Sequence, residues 1–411
     1  MIIGKMSHQL PGMTENFGNP FQSVMPFINA SKLVGLKDRK VVLLATATIT
    51  QKNIFSNGLF QNVYIIYKMF DAMGYAPILV INEKPETLDS VPSMMCAARM
   101  MTTDEIIRQP LPVVALIEIG MSIDPLLRQF VKMLGGRLAK LYLGNILNID
   151  IETPIFYPGM FFTHHVIEKI DTIWVSPHYG QHAEYASFLN HVTPPSDLTR
   201  MIAPYVWDPC FLTRDFTEFP RWKPRAAPED DVIVIMEPNI SFQKCCFVPL
   251  MAIERWYRNG NRSWKGKVIV VNGDRVTDTT HFKNTIAPYL DICKDGLVTC
   301  KDRMDILSVM KEYPSALFMM HQVNNEYNYM TMELMWCGFP AVHNTDAWAQ
   351  FGYSYTGNNI DLAAKQLEIA YSGHTNRLEA YKANANILTW QHSPYNPANQ
   401  LAWDNLIHAR G

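Results

Sequence analysis

Apolar, β-branched runs alternating with stretches of helical spacing constrain this chain more than any other feature. The first run, VVLLATATI, begins at Val41. A polar loop follows, ending at Gly58, then LFQNVYIIYKMFDAMGY with apolar residues at helical spacing, and then a second run, PILVINE. A continuous apolar run predicts a strand buried on both faces, and strand–helix–strand predicts a parallel pair joined by a right-handed crossover. The pattern recurs at PVVALIEIG (112–120), RLAKLYLGN (137–145) and DTIWVSP (171–177), with MSIDPLLRQFVKMLGG as an intervening helix. It restarts at VIVIM and continues through the helix FVPLMAIERWYRNG, the strand KVIVVNGD (267–274), the helix RMDILSVMKEYP and the strand SALFMMHQ.

At 411 residues the chain exceeds the roughly 250–300 that one core usually holds. The segment 215–230, rich in proline and mixed charge, is the natural break. We therefore expect an α/β protein of two Rossmann-like domains with parallel sheets facing across a cleft. Residues 1–40 would form an N-terminal arm, 41–214 the first domain and 231–390 the second.

Several function classes lose support. A formal charge of -2 gives nucleic acid no electrostatic help. No run approaches the length of a membrane span, and MIIGKMSHQLPGM lacks a signal-peptide core, so we expect an intracellular, cytoplasmic protein. The seven cysteines are odd in number, scattered and without a CxxC pair, and read as reduced, buried small hydrophobes. There is no GxGxxG after a strand, no GxxxxGK[ST], no GxSxG, no HExxH and no Asp-x-Asp loop, which disfavours dehydrogenase, P-loop, serine-hydrolase and metal-held diphosphate chemistry. We expect no metal and no cofactor.

The stretch His321–Asn344, HQVNNEYNYMTMELMWCGFPAVHN, concentrates the candidate chemistry. Glu333 sits in an apolar run that predicts a buried helix, stopped by Gly338 and Pro340, and a buried carboxylate needs a partner such as a pair of vicinal hydroxyls. Asn239 and Lys244 lie beside another predicted helix start, where free N–H groups favour an anion; Asn328 and Tyr329 open a second such start. The loop from Ala45 to Gly58 leaves a strand at the end where open sheets bind ligands. His178 and His182, four apart, are positioned for one helix face and, with His164 and His165, are the candidate proton acceptors.

MELMWCGFPAVHN resembles the glutamate helix and Gly-x-Pro turn of GT-B glycosyltransferases, with Glu333, Gly338 and Pro340 in register. EPNIS...K and SNGLFQN extend the resemblance toward a little-characterised GT-B-like group. The resemblance implies a metal-independent, retaining glycosyltransferase using a nucleotide-diphosphate sugar and a glycan or small-molecule acceptor. It implies donor binding by Asn239, Lys244, Asn328, Tyr329, Glu333 and Gly58, with Glu333 on the ribose. The first glutamate of the family's E-x7-E pair is replaced by Asn325, with Glu326 beside it, so these two are the candidates at the transferred sugar. By the same analogy 391–411 forms a C-terminal helix that crosses back to the first domain. A nucleotide-sugar epimerase and a non-catalytic nucleotide- or glycan-binding module are the alternatives.

Overall fold

The computed structural model describes residues 36–409 apart from 56–57, 110, 163–164, 214–218 and 228–229. The expected N-terminal arm falls almost wholly outside the described residues, as do parts of the 215–230 segment. The chain divides into two compact units, one running to Phe211 and resuming at His392, the other spanning Leu212–Gln391.

The first unit is a six-stranded parallel sheet ordered β3-β2-β1-β4-β5-β6. Its strands are β1 (Val41–Ala45), β2 (Ala76–Val80), β3 (Met100–Met101), β4 (Val113–Glu118), β5 (Arg137–Tyr142) and β6 (Thr172–Val175). β1 and β2 are buried at every position, as two-faced strands require. The apolar run read as a strand to Ile49 leaves the sheet at Ala45, because polar side chains take over its donors: Thr48 N–H binds Asn82 Oδ1 (3.2 Å) and Thr50 N–H binds Asn53 Oδ1 (2.8 Å). Helices α1 (Gly58–Ala72), α2 (Pro125–Met133), α3 (Ile146–Phe156) and α4 (Ala183–Leu189) connect the strands.

The second unit repeats the plan with β7 (Val232–Ile235), β8 (Lys267–Val271), β9 (Val298–Lys301), β10 (Leu317–Met319), β11 (Ala341–His343) and β12 (Tyr353–Ser354), ordered β12-β11-β10-β7-β8-β9 and all parallel. Helices α5 (Phe247–Arg258), α6 (Ile306–Glu312) and α7 (Tyr329–Trp336) alternate with them, and α8 (Ile360–Gln391) packs along α5 and α7. Counted within its own unit, each sheet has the order 3-2-1-4-5-6, so each has one point where the strand order reverses: β1 beside β4, and β7 beside β10.

The final helix, α9 (Pro397–His408), belongs to the first unit. Trp403, fully buried, lies edge-on to Phe70 (5.7 Å) and Trp174 (5.9 Å) and donates Nε1–H to Pro204 O (3.2 Å). Tyr75 Oη reaches Asp404 (2.5 Å) and His408 (2.9 Å) from the preceding sheet.

Candidate functional site

Where strand order reverses, the loops leaving the two central strands diverge and open a crevice at their C-terminal ends. In the second unit that crevice is lined by the residues following β7 and β10. Glu237 follows β7 and is completely buried. Its Oε1 accepts the N–H of His321 (3.0 Å) and its Oε2 accepts Gln322 Nε2 (2.8 Å), both just beyond β10. Gln322 Oε1 in turn accepts Asn325 Nδ2 (2.9 Å), and the Gln322 backbone is bound in both directions by the Asn344 amide (2.8 and 2.7 Å). Burial raises the Glu237 carboxyl well above the usual range, against the opposing pull of the His321 N–H, the Lys244 charge and the Gln322 amide. Lys244 is shifted the other way: loss of water lowers it and Glu237 holds it up.

Lys244 ends a tight turn. Asn239 adopts left-handed backbone angles (φ 53°), which asparagine tolerates better than most residues. Its amide is committed within the chain: Nδ2 donates to Glu237 O (2.9 Å) and Asn272 O (3.1 Å), and Oδ1 accepts the Cys246 N–H (2.8 Å) at the start of α5. Asn239 therefore shapes the turn that carries Lys244. Gln243 fixes that turn to the other loop through Val323 N–H (2.9 Å), Val323 O (3.3 Å) and Asn324 O (3.0 Å).

The loop then enters α7. Asn328 is its N-cap, with Oδ1 accepting Met330 N–H (3.0 Å), and Tyr329, the first helical residue, is buried. The helix is buried on nearly every face, as its sequence requires. Glu333 is 4% exposed, and its charge helps burial to raise the thiol of Cys337, one turn on. Gly338, at φ 79°, ends the helix in the conformation glycine favours. Glu326 is only partly buried; burial and then Asp346 raise its carboxyl.

Lys244, Asn325, Glu326 and Asn328 thus belong to segments tied together by hydrogen bonds at one sheet edge, and Glu333 lies on the helix that issues from it. Reasoning from sequence missed four members: Glu237, His321, Gln322 and Asn344. His321 is 3% exposed, burial lowers it to about 4, and Nδ1 faces Tyr355 Oη (2.9 Å). The detectable signal was a glutamate, and then a histidine and glutamine, each within two residues of the end of an apolar strand.

The first unit corrects the histidine expectation. Pro177–His182 is a 3-10 segment interrupted at Tyr179 (φ −112°, ψ 15°), so His178 and His182 do not share an α-helical face. His178 packs against Tyr179 (ring centroids 3.7 Å) and Tyr205 (6.0 Å), and partial burial lowers His182. Gly58 is exposed at the start of α1, and His164 lies outside the described residues. His165 has a chemical partner: Nε2 meets Asp150 Oδ1 (2.5 Å), whose other oxygen accepts Tyr185 Oη (2.6 Å). His165 and Asp150 border a cleft of about 300 Å³ with Phe161, Phe162 and Ile149. Among the described residues no cluster of three or more His, Cys, Asp or Glu is arranged to hold a metal, and no helix is long and apolar enough to cross a membrane. The cysteines are all free, but only Cys210, Cys246 and Cys337 are buried, which corrects the expectation that they would all be interior.

Two parallel six-stranded α/β sheets of this order define the GT-B glycosyltransferase fold, and solved structures of that fold match across both units. An α-glucosyltransferase in complex with UDP and a 13-mer DNA containing an HMU base is 10% identical, with a TM-score of 0.53 over 90% of this chain and 99% of that one. Anabaena HepE in complex with UDP is 12% identical, with a TM-score of 0.51 over 89% and 99%. An E. coli chain described as trehalose-6-phosphate bound with UDP-2-fluoro glucose is 10% identical, with a TM-score of 0.54 over 90% and 100%. Within that fold, the chain belongs to the DUF2827 family, described as a protein of unknown function, which matches residues 43–407. No curated protein matches by sequence.

Proposed function

We propose that this protein transfers a glycosyl group from a nucleotide-diphosphate sugar, held by the second unit, to an acceptor presented by the first. The observation that carries this is the dehydrated polar cluster at the β7–β10 reversal. There Lys244 and the capped start of α7 offer positive potential to an anion, while Asn325 and Glu326 lie between them in the chain. As the sugar–phosphate bond breaks, negative charge grows on the diphosphate; a preorganised cation and helix N–H groups stabilise it without a metal. Glu333 would bind the ribose hydroxyls, and Asn325 or Glu326 would orient the sugar. His165 is the acceptor base the geometry favours among the candidate histidines, because Asp150 fixes its tautomer and leaves Nδ1 basic. Retention of configuration follows from the likeness to retaining enzymes.

Three GT-B structures described with UDP or a UDP sugar make uridine donors the first to test. Thermal-shift and calorimetric titrations with nucleoside diphosphates and their sugars are expected to show saturable stabilisation. Glu333→Ala should weaken the active donor at least about tenfold, the scale of a lost pair of hydrogen bonds to a charged group. Wild-type affinity in that variant would overturn the ribose assignment. A donor-binding module without transfer is the second reading. It is favoured by Asn325, which stands where the resemblance calls for a carboxylate and whose Nδ2 is held by Gln322.

A further inference from the structure

Lys244 is followed by two adjacent cysteines that the proposed reaction does not use. Cys245 is partly exposed and Cys246 is completely buried, and their side chains are hydrogen-bonded to each other. The hydrogen bond from the Cys246 thiol, helped by the N–H groups of Phe247 and Cys246, holds Cys245 below the usual thiol range despite its burial. Cys246 is pushed the opposite way by the same bond and by burial. One sulfur of the pair is therefore an accessible nucleophile, and its neighbour is a protected thiol already in contact with it. Cys246 also anchors the turn, since its N–H is the group bound by Asn239 Oδ1 (2.8 Å).

We propose that Cys245 and Cys246 form a peroxide-responsive vicinal dithiol whose closure to a disulfide distorts the turn carrying Lys244. In the first step the Cys245 thiolate attacks one oxygen of hydrogen peroxide; an S–O bond forms, the O–O bond breaks and the departing hydroxide takes a proton to become water. In the second, Cys246 sulfur displaces the hydroxyl from Cys245, forming the S–S bond and releasing a second water. Two thiols lose two electrons and two protons, and one peroxide accepts them. A ring closed through adjacent residues requires the Cys246 peptide to move, which breaks its bond to Asn239 and displaces Lys244. That last consequence rests on the donor reading given above; the dithiol chemistry does not.

The test treats reduced full-length protein with limiting hydrogen peroxide at neutral pH and follows each cysteine by peptide mass spectrometry, with UDP-induced thermal shift measured in parallel. Cys245 is expected to oxidise at least about tenfold faster than Cys96, which is more exposed but has no such neighbour. The product should be a 245–246 disulfide, two hydrogens lighter and reversed by dithiothreitol, and Cys246→Ser should instead trap a dimedone-reactive sulfenic acid on Cys245. The UDP shift should vanish on oxidation and return on reduction. Oxidation of Cys96 first, or no 245–246 disulfide, overturns the dithiol; a disulfide with an undiminished UDP shift overturns its coupling to the donor turn. If the disulfide forms while reduced protein never responds to any nucleotide, the dithiol stands and the donor reading falls.

Discussion

Both units bury a glutamate where their strand order reverses, but they neutralise it differently. In the first unit Glu118 is the last residue of β4, in register with Ala45 of β1. Both its oxygens are taken by the Arg128 guanidinium (2.6 and 3.2 Å), and the completely buried Lys140 of β5 stands beside it in register. The charge is matched internally. In the second unit both oxygens of Glu237 go to neutral donors, the His321 N–H and the Gln322 amide, and the cation that acts on it, Lys244, sits on a turn. One arrangement is closed on itself; the other leaves a cation with electrostatic demand still unmet. Identical topology therefore does not mean equivalent sites.

The burial of Glu118 outweighs the attraction of Arg128 and Lys140, so its carboxyl is still raised, and burial lowers Lys140 to about 8 despite Glu118. Such clusters are costly to break singly. Arg128→Ala should destabilise the protein by about 3–5 kcal/mol in urea unfolding while leaving nucleotide affinity unchanged. Lys244→Met should do the reverse, weakening UDP or the active donor by about a hundredfold in calorimetry with little loss of unfolding stability. If the two variants exchanged phenotypes, the contrast between the units would be wrong.

A smaller effect separates the units by pH. In the second unit His321, His343 and His374 are all lowered by burial to about 4. The unfolded chain takes up these protons below about 6.5 while the folded one does not. The contribution they make is therefore intact above about pH 7 and lost as pH falls toward 4, by roughly 1 kcal/mol per histidine at pH 5.5. Glu237, raised by burial, acts in the opposite sense: ionising it costs more in the folded state, so its effect is least harmful at low pH. Calorimetric scans from pH 7 to 5 should show the second unit losing stability faster than the first; equal losses would mean that the buried imidazoles do not distinguish them. The smallest expected change is His182→Ala, which should leave donor affinity within about twofold, consistent with a partly exposed group that makes no buried network.

The sheets were legible because two-faced strands must be continuously apolar, and β1, β2, β4, β7 and β8 are. The short edge strands β3, β9 and β12 carry too few residues to show a period. The long helix α8 buries mostly small residues (Ala363, Ala364, Ala370 and Ala385 among them), so its apolar stripe is shallow in sequence though continuous in space. In the site, Glu333 and the Asn328 cap could be read because they belong to one local helix. Glu237 could not, since its partners are Gln322, 85 residues on, and His321 beside it, and only the sheet brings them together. The histidine spacing misled for a related reason: Tyr179 breaks the local geometry on which an i, i+4 argument depends.

The division of the chain also has a consequence for its synthesis. The first unit draws on both sides of the sequence, with α9 supplying Trp403 to a core that includes Phe70 and Trp174, while the second unit is one uninterrupted segment. On the ribosome the second unit emerges whole while the first still lacks its last helix. The unit made first is thus the last able to finish folding, and its unfilled tryptophan site is the surface a chaperone would meet in the interval.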